Sequence, residues 1–190
     1  MHFPDYIVHY YYPDKAPFLN LSELSPGNRN EIIRELNTRH QQNESSRQFP
    51  DWYMPQRLEA EAKLHQCFIV KGGKPQRQSP HYFTLGFSPL FEKLYHGNFE
   101  KIILPVSLFD ESELCFCLND SLWTMAKSHD AEQSFNNRWF EEDVYSYREA
   151  KDILMNMNID IESPDSLLKN KISFVEGLVW TDKFLNDIKR

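Results

Sequence analysis

Short runs of β-forming residues recur along the chain and predict strands. The first, YIVHYYY at 6–12, is rich in tyrosine, isoleucine and valine and ends at Pro13-Asp14. Later runs predict strands at 81–86, 101–108, 113–118 and 172–180. In the last run, ISFVEGLVW, the two-residue period places Phe174, Glu176, Leu178 and Trp180 on one side of the sheet.

Apolar residues at helical spacing predict helices between these strands. One helix runs from Asn28 to about Asn37, and a second over 56–69 follows Pro55 and stops at Gly72-Gly73. Shorter helices are predicted at 88–96, near 147–157 and at 181–189, with an exposed loop at 37–46 and a polar loop after 157. The elements show no regular βαβ alternation. This favours a single α+β domain over 1–190 rather than a doubly wound sheet.

The composition is that of a soluble globular protein. A chain of 190 residues with 41% hydrophobic residues can bury a substantial core. No apolar run approaches the ~20 residues of a membrane span, and the N-terminal sequence lacks the basic and apolar regions of a secretory signal. Cys67, Cys115 and Cys117 form an odd, sparse set, so we expect a reduced, cytoplasmic compartment. Cys115 and Cys117 should share one side of their strand.

The net charge of −7 argues against a general nucleic-acid coat protein, because phosphate binding depends on clustered lysine and arginine. It leaves room for an enzyme that contacts a nucleic acid through a local basic groove. One basic cluster, formed by Lys71, Lys74 and Arg77, surrounds the glycine pair at 72–73. The alternative for this cluster is a solvated surface loop.

Signatures of several familiar chemistries are missing from the sequence. The GGKP stretch lacks the first glycine and the Ser/Thr of a phosphate-binding loop, and no G-x-G-x-x-G, H-E-x-x-H, G-x-S-x-G or C-x-x-C occurs. The seven histidines are scattered without the spacing of metal ligands. The sequence therefore predicts no metal site.

A carboxylate interrupts the apolar strand predicted at 172–180. Glu176 would carry an expensive charge there unless a partner or a ligand compensates for it. An edge-strand charge that blocks aggregation is the alternative. The adjacent Gly177 permits close approach by a ligand, which favours a site.

Two further polar residues occupy unusual positions. His9 lies in the middle of the first strand, where a hydrogen-bonded structural role is the alternative to function. Arg57 lies early in the second helix, where a surface ion pair with Glu61 is the alternative. We expect His9 and Glu176 to lie on central strands and to face one cleft.

Three segments together resemble the ADP-ribosyltransferases, especially the DarT-type toxins. They are IVHYYY…NL at 7–21, HYFTLGFSPLFEKLYHG at 81–97 and FVEGLVWTDKFLNDI at 174–188, about a third of the chain. The order of His on the first strand, Arg on an early helix and Glu on a late strand carries the resemblance. It implies a split mixed or antiparallel sheet with peripheral helices.

The resemblance also implies a reaction and roles for the residues. NAD would be the co-substrate, without a metal, and ADP-ribose would pass to a DNA or RNA base or to a protein. Glu176 and Arg57 would be catalytic, with Arg57 at the pyrophosphate or the acceptor. His9, Asn20 and Tyr82 would bind NAD, His9 at the ribose and Tyr82 stacked on nicotinamide, while Lys71, Lys74 and Arg77 would contact the acceptor. Between His9 and Asn20 this sequence carries a longer, proline-containing stretch than the family pattern.

The resemblance further implies a cytoplasmic toxin or phage-defence effector, with an antitoxin protein as its partner and no membrane association. Two other functions stay open on the sequence. One is a non-catalytic interaction protein on the same fold, and the other is a nuclease-type toxin that uses scattered histidine and glutamate residues.

Overall fold

The computed structural model describes residues 3–125 and 143–188. Its strands are β1 (Tyr6–Tyr11), β2 (His81–Leu85), β3 (Glu100–Pro105), β4 (Leu114–Cys117) and β5 (Glu176–Val179). They form one sheet in the order β3-β1-β2-β5-β4, and every neighbouring pair is antiparallel. The predicted α+β class is confirmed, with a five-stranded antiparallel sheet and several helices.

The helices are α1 (Pro26–Gln41), α2 (Tyr53–Val70), α3 (Pro89–Leu94), α4 (Ser121–Met125), α5 (Tyr147–Asn156), α6 (Pro164–Lys169) and α7 (Leu185–Ile188). Short 3₁₀ turns lie at Leu21–Glu23 and Val106–Leu108. Within the described ranges, no helix has the length and apolar character needed to cross a membrane.

Several predicted boundaries are wrong. The first helix begins at Pro26 and not at Asn28, because the Ser25 side chain caps it and proline fits its first turn. The helix also continues to Gln41, through part of the predicted loop at 37–46. Its polar last turns are supported by the ion pair between Arg39 and Glu35.

Two short helices were not predicted. One, α4, follows β4 directly, and the other, α6, lies in the stretch expected to be a polar loop. The last strand is shorter than predicted and begins at Glu176.

The two sides of the sheet pack against different helices. The first side carries Ile7, Phe83 and Phe116 and packs on a core that includes Ala150 and Leu154 of α5. The second side carries Cys115, Cys117 and Leu178 and packs on Ala60, Leu64 and Phe68 of α2. As predicted, Cys115 and Cys117 share a side, and all three cysteines are free thiols. Below, these are called the α5 side and the α2 side.

On the α2 side, α2 covers only the half of the sheet formed by β5 and β4. The β1 half is covered by α1 and by the segment around α3, where Val8 and Tyr10 pack with Leu36 and Tyr95. Polar residues of β2 and β5 lie between these two apolar clusters. This division of the α2 side positions the candidate site.

The end of α2 provides a test of this packing. Gly72 has a φ of +91°, and the N–H of Gly73 donates to the Phe68 carbonyl. A Cβ added at Gly73 would lie 2.5 Å from the buried Phe68 ring, which stacks on Trp180. We expect Gly73→Ala to lower the free energy of unfolding by about 1–3 kcal/mol, as overpacking does.

Urea unfolding of Gly73→Ala measures this loss, and Gly27→Ala is the matched control. Gly27 lies in the first turn of α1, and a Cβ there would meet nothing within 4 Å. Its replacement should leave stability unchanged or raise it by up to about 1 kcal/mol. Equal stability of the two variants would contradict the packing at the end of α2.

Candidate active site

A cavity of about 210 Å³ lies where the two apolar clusters of the α2 side leave the sheet uncovered. Its walls come from β1, β2, β5, α1, α2 and the segment at 12–22. Of the residues predicted to form a site, the cavity wall includes His9, Asn20, Arg57, Tyr82 and Glu176. Residues 71, 74 and 77 of the basic cluster are not part of the described wall.

Glu176 enters the cavity from the middle of the sheet. It is the first residue of β5, which lies between β2 and β4, and its neighbours across the sheet are Thr84 and Cys117. The alternative of an edge-strand charge is therefore wrong, because β5 has a hydrogen-bonded strand on each side. The side chain is buried, with the residue 4% exposed, and Oε2 accepts a hydrogen bond of 3.1 Å from the Ser121 N–H.

Burial dominates the electrostatics of Glu176. It raises the pKa of the carboxyl from 4.5 to about 7, against the opposing effect of Arg57 and with a further rise from Asp120. Burial also raises the pKa of Asp120, which borders the same cavity. Glu176 can therefore exchange a proton near neutral pH.

Arg57 is the positive partner of Glu176. It extends from α2 and is 8% exposed, with one terminal nitrogen 3.8 Å from Glu176 Oε1. Its Nε lies 3.5 Å from Glu61 Oε1, and its other terminal nitrogen donates to Ser121 Oγ at 3.4 Å. The Arg57–Glu61 pair exists, but its predicted place at the surface is wrong. Both residues are buried, and Arg57 borders the cavity.

Glu61 is held more tightly than Glu176. It is 2% exposed and accepts hydrogen bonds from the hydroxyls of Ser22, Ser79 and Tyr82, at 2.8, 2.8 and 2.6 Å. Three donors together with Arg57 satisfy the hydrogen-bonding capacity of this buried carboxylate. Arg57 thus lies between Glu61, which accepts three side-chain hydrogen bonds, and Glu176, whose described hydrogen-bond donor is the Ser121 N–H.

Tyr82 supports Arg57 directly. The guanidinium carbon lies 3.8 Å from the centre of the Tyr82 ring, a cation–π contact, and the Tyr82 hydroxyl donates to Glu61. One ring face is therefore already covered by Arg57. The predicted stacking of Tyr82 on nicotinamide could use only the opposite face, and the contact that the structure contains is with Arg57.

His9 does not share a side of the sheet with Glu176. Val8 is in register with Thr84, and Thr84 with Glu176, so these three lie on the α2 side. His9 lies on the α5 side, where its ring stacks on Phe18 at 4.3 Å. His9 and Glu176, which we expected to face one cleft, therefore border the same cavity from opposite sides of the sheet.

His9 reaches the cavity at an opening in the sheet. The β1–β2 ladder contains only two residue pairs and ends after Val8. Beyond it, His9 Nδ1 lies 2.9 Å from the Tyr82 carbonyl, and Nε2 accepts from the Phe18 N–H at 3.0 Å. Burial lowers the pKa of His9 to about 4, so the ring is neutral. Both ring nitrogens are engaged, which matches the structural alternative considered for His9.

Asn20 also has both polar ends engaged. Its side-chain oxygen accepts from the Ser22 N–H at 2.9 Å and caps the 3₁₀ turn, and its nitrogen donates to the Pro80 carbonyl at 2.9 Å. The Asn20 side chain therefore fixes the segment at 12–22 against the loop that precedes β2.

The basic cluster is dispersed. Lys71 pairs with Asp143 and Glu149 and borders a different cavity. Arg77 pairs with Glu23 and Asp182. Carboxylates therefore already neutralise two of the three predicted acceptor contacts, and the structure does not bring the three together with the Glu176 cavity.

Sequence reasoning missed Glu61, which is buried beside Arg57, and the cavity residues Asp120 and Arg47. The first was seen only as the i+4 partner of Arg57, a spacing equally typical of a helix surface. Asp120 follows an apolar strand within Asn-Asp-Ser, a polar cluster that could have indicated a strand end at a site. Arg47 lies in a polar stretch that gave no signal.

The arrangement can perform two kinds of chemistry. A buried carboxylate beside a cavity can stabilise positive charge that develops on a ligand, and it can accept a proton when its pKa lies near neutrality. Glu176 fits both roles, because its donors leave one oxygen with Arg57 at 3.8 Å as its described partner. Arg57 keeps the carboxylate ionised more than burial alone would allow.

The raised pKa of Glu176 should make the free energy of unfolding depend on pH. The folded state holds a proton that the unfolded chain releases between pH 4.5 and about 7. Its contribution to the free energy of unfolding is therefore full below pH 4.5 and is lost as the pH rises to about 7. We expect the stability of Glu176→Gln minus that of wild type to grow by on the order of 3 kcal/mol over this range.

Urea unfolding of both proteins at pH 5 and pH 8 measures this difference. The variant carries an amide that does not titrate, so the pH dependence of its free energy of unfolding should come only from the other titratable groups. The same stability difference at both pH values would mean that the carboxyl titrates near its ordinary pKa.

Comparison with known protein families, with characterised proteins and with solved structures gives no match for this chain.

Proposed function

We propose that the chain transfers ADP-ribose from NAD to an acceptor, with Glu176 as the catalytic carboxylate. The observation that carries the proposal is the buried Glu176 on a central strand at the cavity, 3.8 Å from Arg57. The resemblance of three chain segments to ADP-ribosyltransferases supplies the choice of reaction. The opening between β1 and β2 is compatible with the split sheet which that resemblance implies.

In the proposed reaction, the bond between nicotinamide and the ribose C1′ breaks. Nicotinamide leaves with the bonding electron pair, and positive charge develops on the ribose. Ionised Glu176 stabilises this charge in a cavity where water screens it poorly. The acceptor oxygen or nitrogen then bonds to C1′, and Glu176 takes the proton that the acceptor loses.

Arg57 acts on Glu176 in this scheme and does not anchor a phosphate. Its charge is already shared between Glu61 and Glu176, and its plane is fixed by Tyr82. Its role is to hold the catalytic carboxylate in place and to favour its ionised form. This replaces the role at the pyrophosphate expected from the sequence.

The size of the cavity sets a condition on binding. Its volume of about 210 Å³ lies below the roughly 300–1,000 Å³ typical of sites for drug-sized ligands. The cavity is therefore too small to enclose the whole dinucleotide, so part of NAD lies at its opening while the nicotinamide end enters it. A nucleic-acid base or a protein side chain is the proposed acceptor, and a toxin or defence effector is the proposed role.

Glu176→Gln tests the catalytic assignment. The amide keeps the size of the side chain and removes its charge, so the loss should fall on turnover and not on NAD affinity. We expect transfer of label from NAD to DNA, RNA or protein to slow by on the order of 10²–10³. Glu113→Gln is the matched control, because Glu113 is a buried carboxylate outside the cavity wall that pairs with Lys183.

Three outcomes separate the candidate functions. Equal labelling by wild type and Glu176→Gln would end the catalytic assignment. Binding of NAD without any transfer would favour the interaction protein. Breakdown of nucleic acid that needs no NAD would favour the nuclease.

The rate should also depend on pH. Only the ionised carboxylate stabilises the cationic centre, so the rate should rise with pH and level off above about 7. Asp120 contributes to the raised pKa of Glu176, so Asp120→Asn should move the rise to lower pH. Turnover measured from pH 5 to 9 checks both effects. A rate that is flat between pH 5.5 and 8 in both proteins would contradict the role of the Glu176 charge.

A further inference from the structure

The cavity contains a second arginine with a different environment from that of Arg57. Arg47 lies in the connection between α1 and α2, and its side chain borders the cavity. One terminal nitrogen donates to the Tyr95 hydroxyl at 2.7 Å. The guanidinium carbon lies 5.2 Å from the centre of the Phe49 ring and 5.3 Å from that of Tyr95.

Arg47 differs from the other cations of the cavity because no carboxylate forms an ion pair with it among the described residues, although its charge lowers the pKa of Asp120. The cavity wall carries three lysine or arginine side chains, namely Lys15, Arg47 and Arg57. Lys15 pairs with Asp14 and Glu35, and Arg57 with Glu61 and Glu176. Within residues 3–125 and 143–188, Arg47 pairs with no carboxylate, although most of its surroundings are aromatic.

The aromatic contacts hold the guanidinium in place without using its donors. A guanidinium has five N–H donors, and the side-chain hydrogen bond described for Arg47 uses one of them. The Tyr95 hydroxyl is itself fixed, since it donates to the Tyr10 carbonyl at 3.1 Å. Backbone bonding anchors the other end, because the Arg47 N–H donates to Ser45 Oγ at 3.0 Å. These contacts therefore hold the Arg47 guanidinium in place and leave most of its N–H groups able to bind a ligand.

The charge of Arg47 is only partly exposed, and its compensation within the cavity is incomplete, since Asp120 feels its field without forming an ion pair with it. A cation removed from water is costly unless an anion or several acceptors compensate for it. After burial itself, the charges of His81 and Arg47 add to the lowering of the pKa of His9, so the field of Arg47 extends to the opening between β1 and β2. An anion in the cavity would supply the missing compensation.

We infer that Arg47 is the anion-binding residue of the cavity and that its ligand group is a diphosphate. A guanidinium fork matches two oxygens of a phosphate, and a diphosphate offers two negative charges to a guanidinium without an ion-paired carboxylate among the described residues. Assigning this group to the pyrophosphate of NAD rests on the proposed function. The anion site itself rests only on Arg47 and its surroundings.

The inference gives the two arginines different roles. Arg57 is committed to carboxylates and serves Glu176, whereas Arg47 anchors the dinucleotide at the cavity. The nicotinamide end then extends toward Glu176. Loss of Arg47 should weaken ligand binding and leave the contacts of Glu176 with Arg57 and Ser121 in place.

Binding of three probes to wild type and Arg47→Met tests the inference by calorimetry. The probes are inorganic pyrophosphate, ADP-ribose and nicotinamide. Arg47→Met keeps an apolar stem and removes the charge, so the affinity for pyrophosphate and ADP-ribose should fall about 10–100-fold, the usual effect of a charged hydrogen bond. Nicotinamide binding should not change. Arg34→Met is the matched control, because Arg34 is an exposed arginine of α1 outside the cavity wall.

A second variant covers a purely structural role of Arg47. Arg47→Lys keeps the charge and loses the fork, so it should retain part of the pyrophosphate affinity. If Arg47→Met fails to fold, Arg47→Lys with reduced but measurable pyrophosphate affinity supports the inference. Undiminished affinity in a folded Arg47→Met overturns it.

The outcomes also separate this inference from the proposed function. Wild type and Arg47→Met that bind ADP-ribose equally, with transfer activity intact, overturn the anion site and leave the transferase standing. Pyrophosphate binding that depends on Arg47, without ADP-ribose binding or transfer, supports the anion site and ends the transferase proposal. A wild type that binds neither pyrophosphate nor ADP-ribose overturns the anion site.

Discussion

The structure of the site depends on one buried cation shared by two carboxylates. Arg57 lies between Glu61 and Glu176, and all three side chains are almost completely removed from water. Burying three charges is unfavourable unless each finds partners, and the partners come from many segments of the chain. The hydroxyls of Ser22, Ser79 and Tyr82 satisfy Glu61, while the start of α4 donates to Glu176. The charged group therefore fixes how the helix, the loops and the sheet meet.

The two carboxylates differ because their donors differ. Three hydroxyls surround Glu61, whereas the described partners of Glu176 are one N–H and a longer contact to Arg57. Burial without full compensation raises the pKa of Glu176 to about 7. Because it has fewer hydrogen-bond donors, Glu176 is the carboxylate of this group that can interact with a ligand. Arg57 contacts both carboxylates, so the well-bonded Glu61 helps to hold Arg57 beside Glu176.

Much of the fold could be predicted from local patterns, and so could the two central site residues. The β-forming runs predicted the strands, and the charge of Glu176 within an apolar run marked it as a candidate site residue. The helix that carries Arg57 was predicted from Pro55 and from the spacing of its apolar residues. The side of the sheet that His9 occupies could not be predicted, because it depends on the pairing of β1 with β2 and of β2 with β5. The alternation of side chains along a single strand does not determine how that strand is aligned with its neighbours. Glu61 and Arg47 could not be predicted because their burial comes from tertiary contacts, while their local sequence is typical of a surface.

The position of β5 has a consequence for the synthesis of the protein. It is the last described strand along the chain, yet it is inserted between β2 and β4 in the interior of the sheet. Until it is in place, the facing edges of β2 and β4 have unpaired backbone groups, and open edges of this kind favour association with other chains. Glu176, as the first residue of β5, arrives with it. A ribosome-bound chain therefore carries Arg57 without one of its two carboxylates, and the Arg57–Glu176 pair first forms when the strand between β2 and β4 has been made.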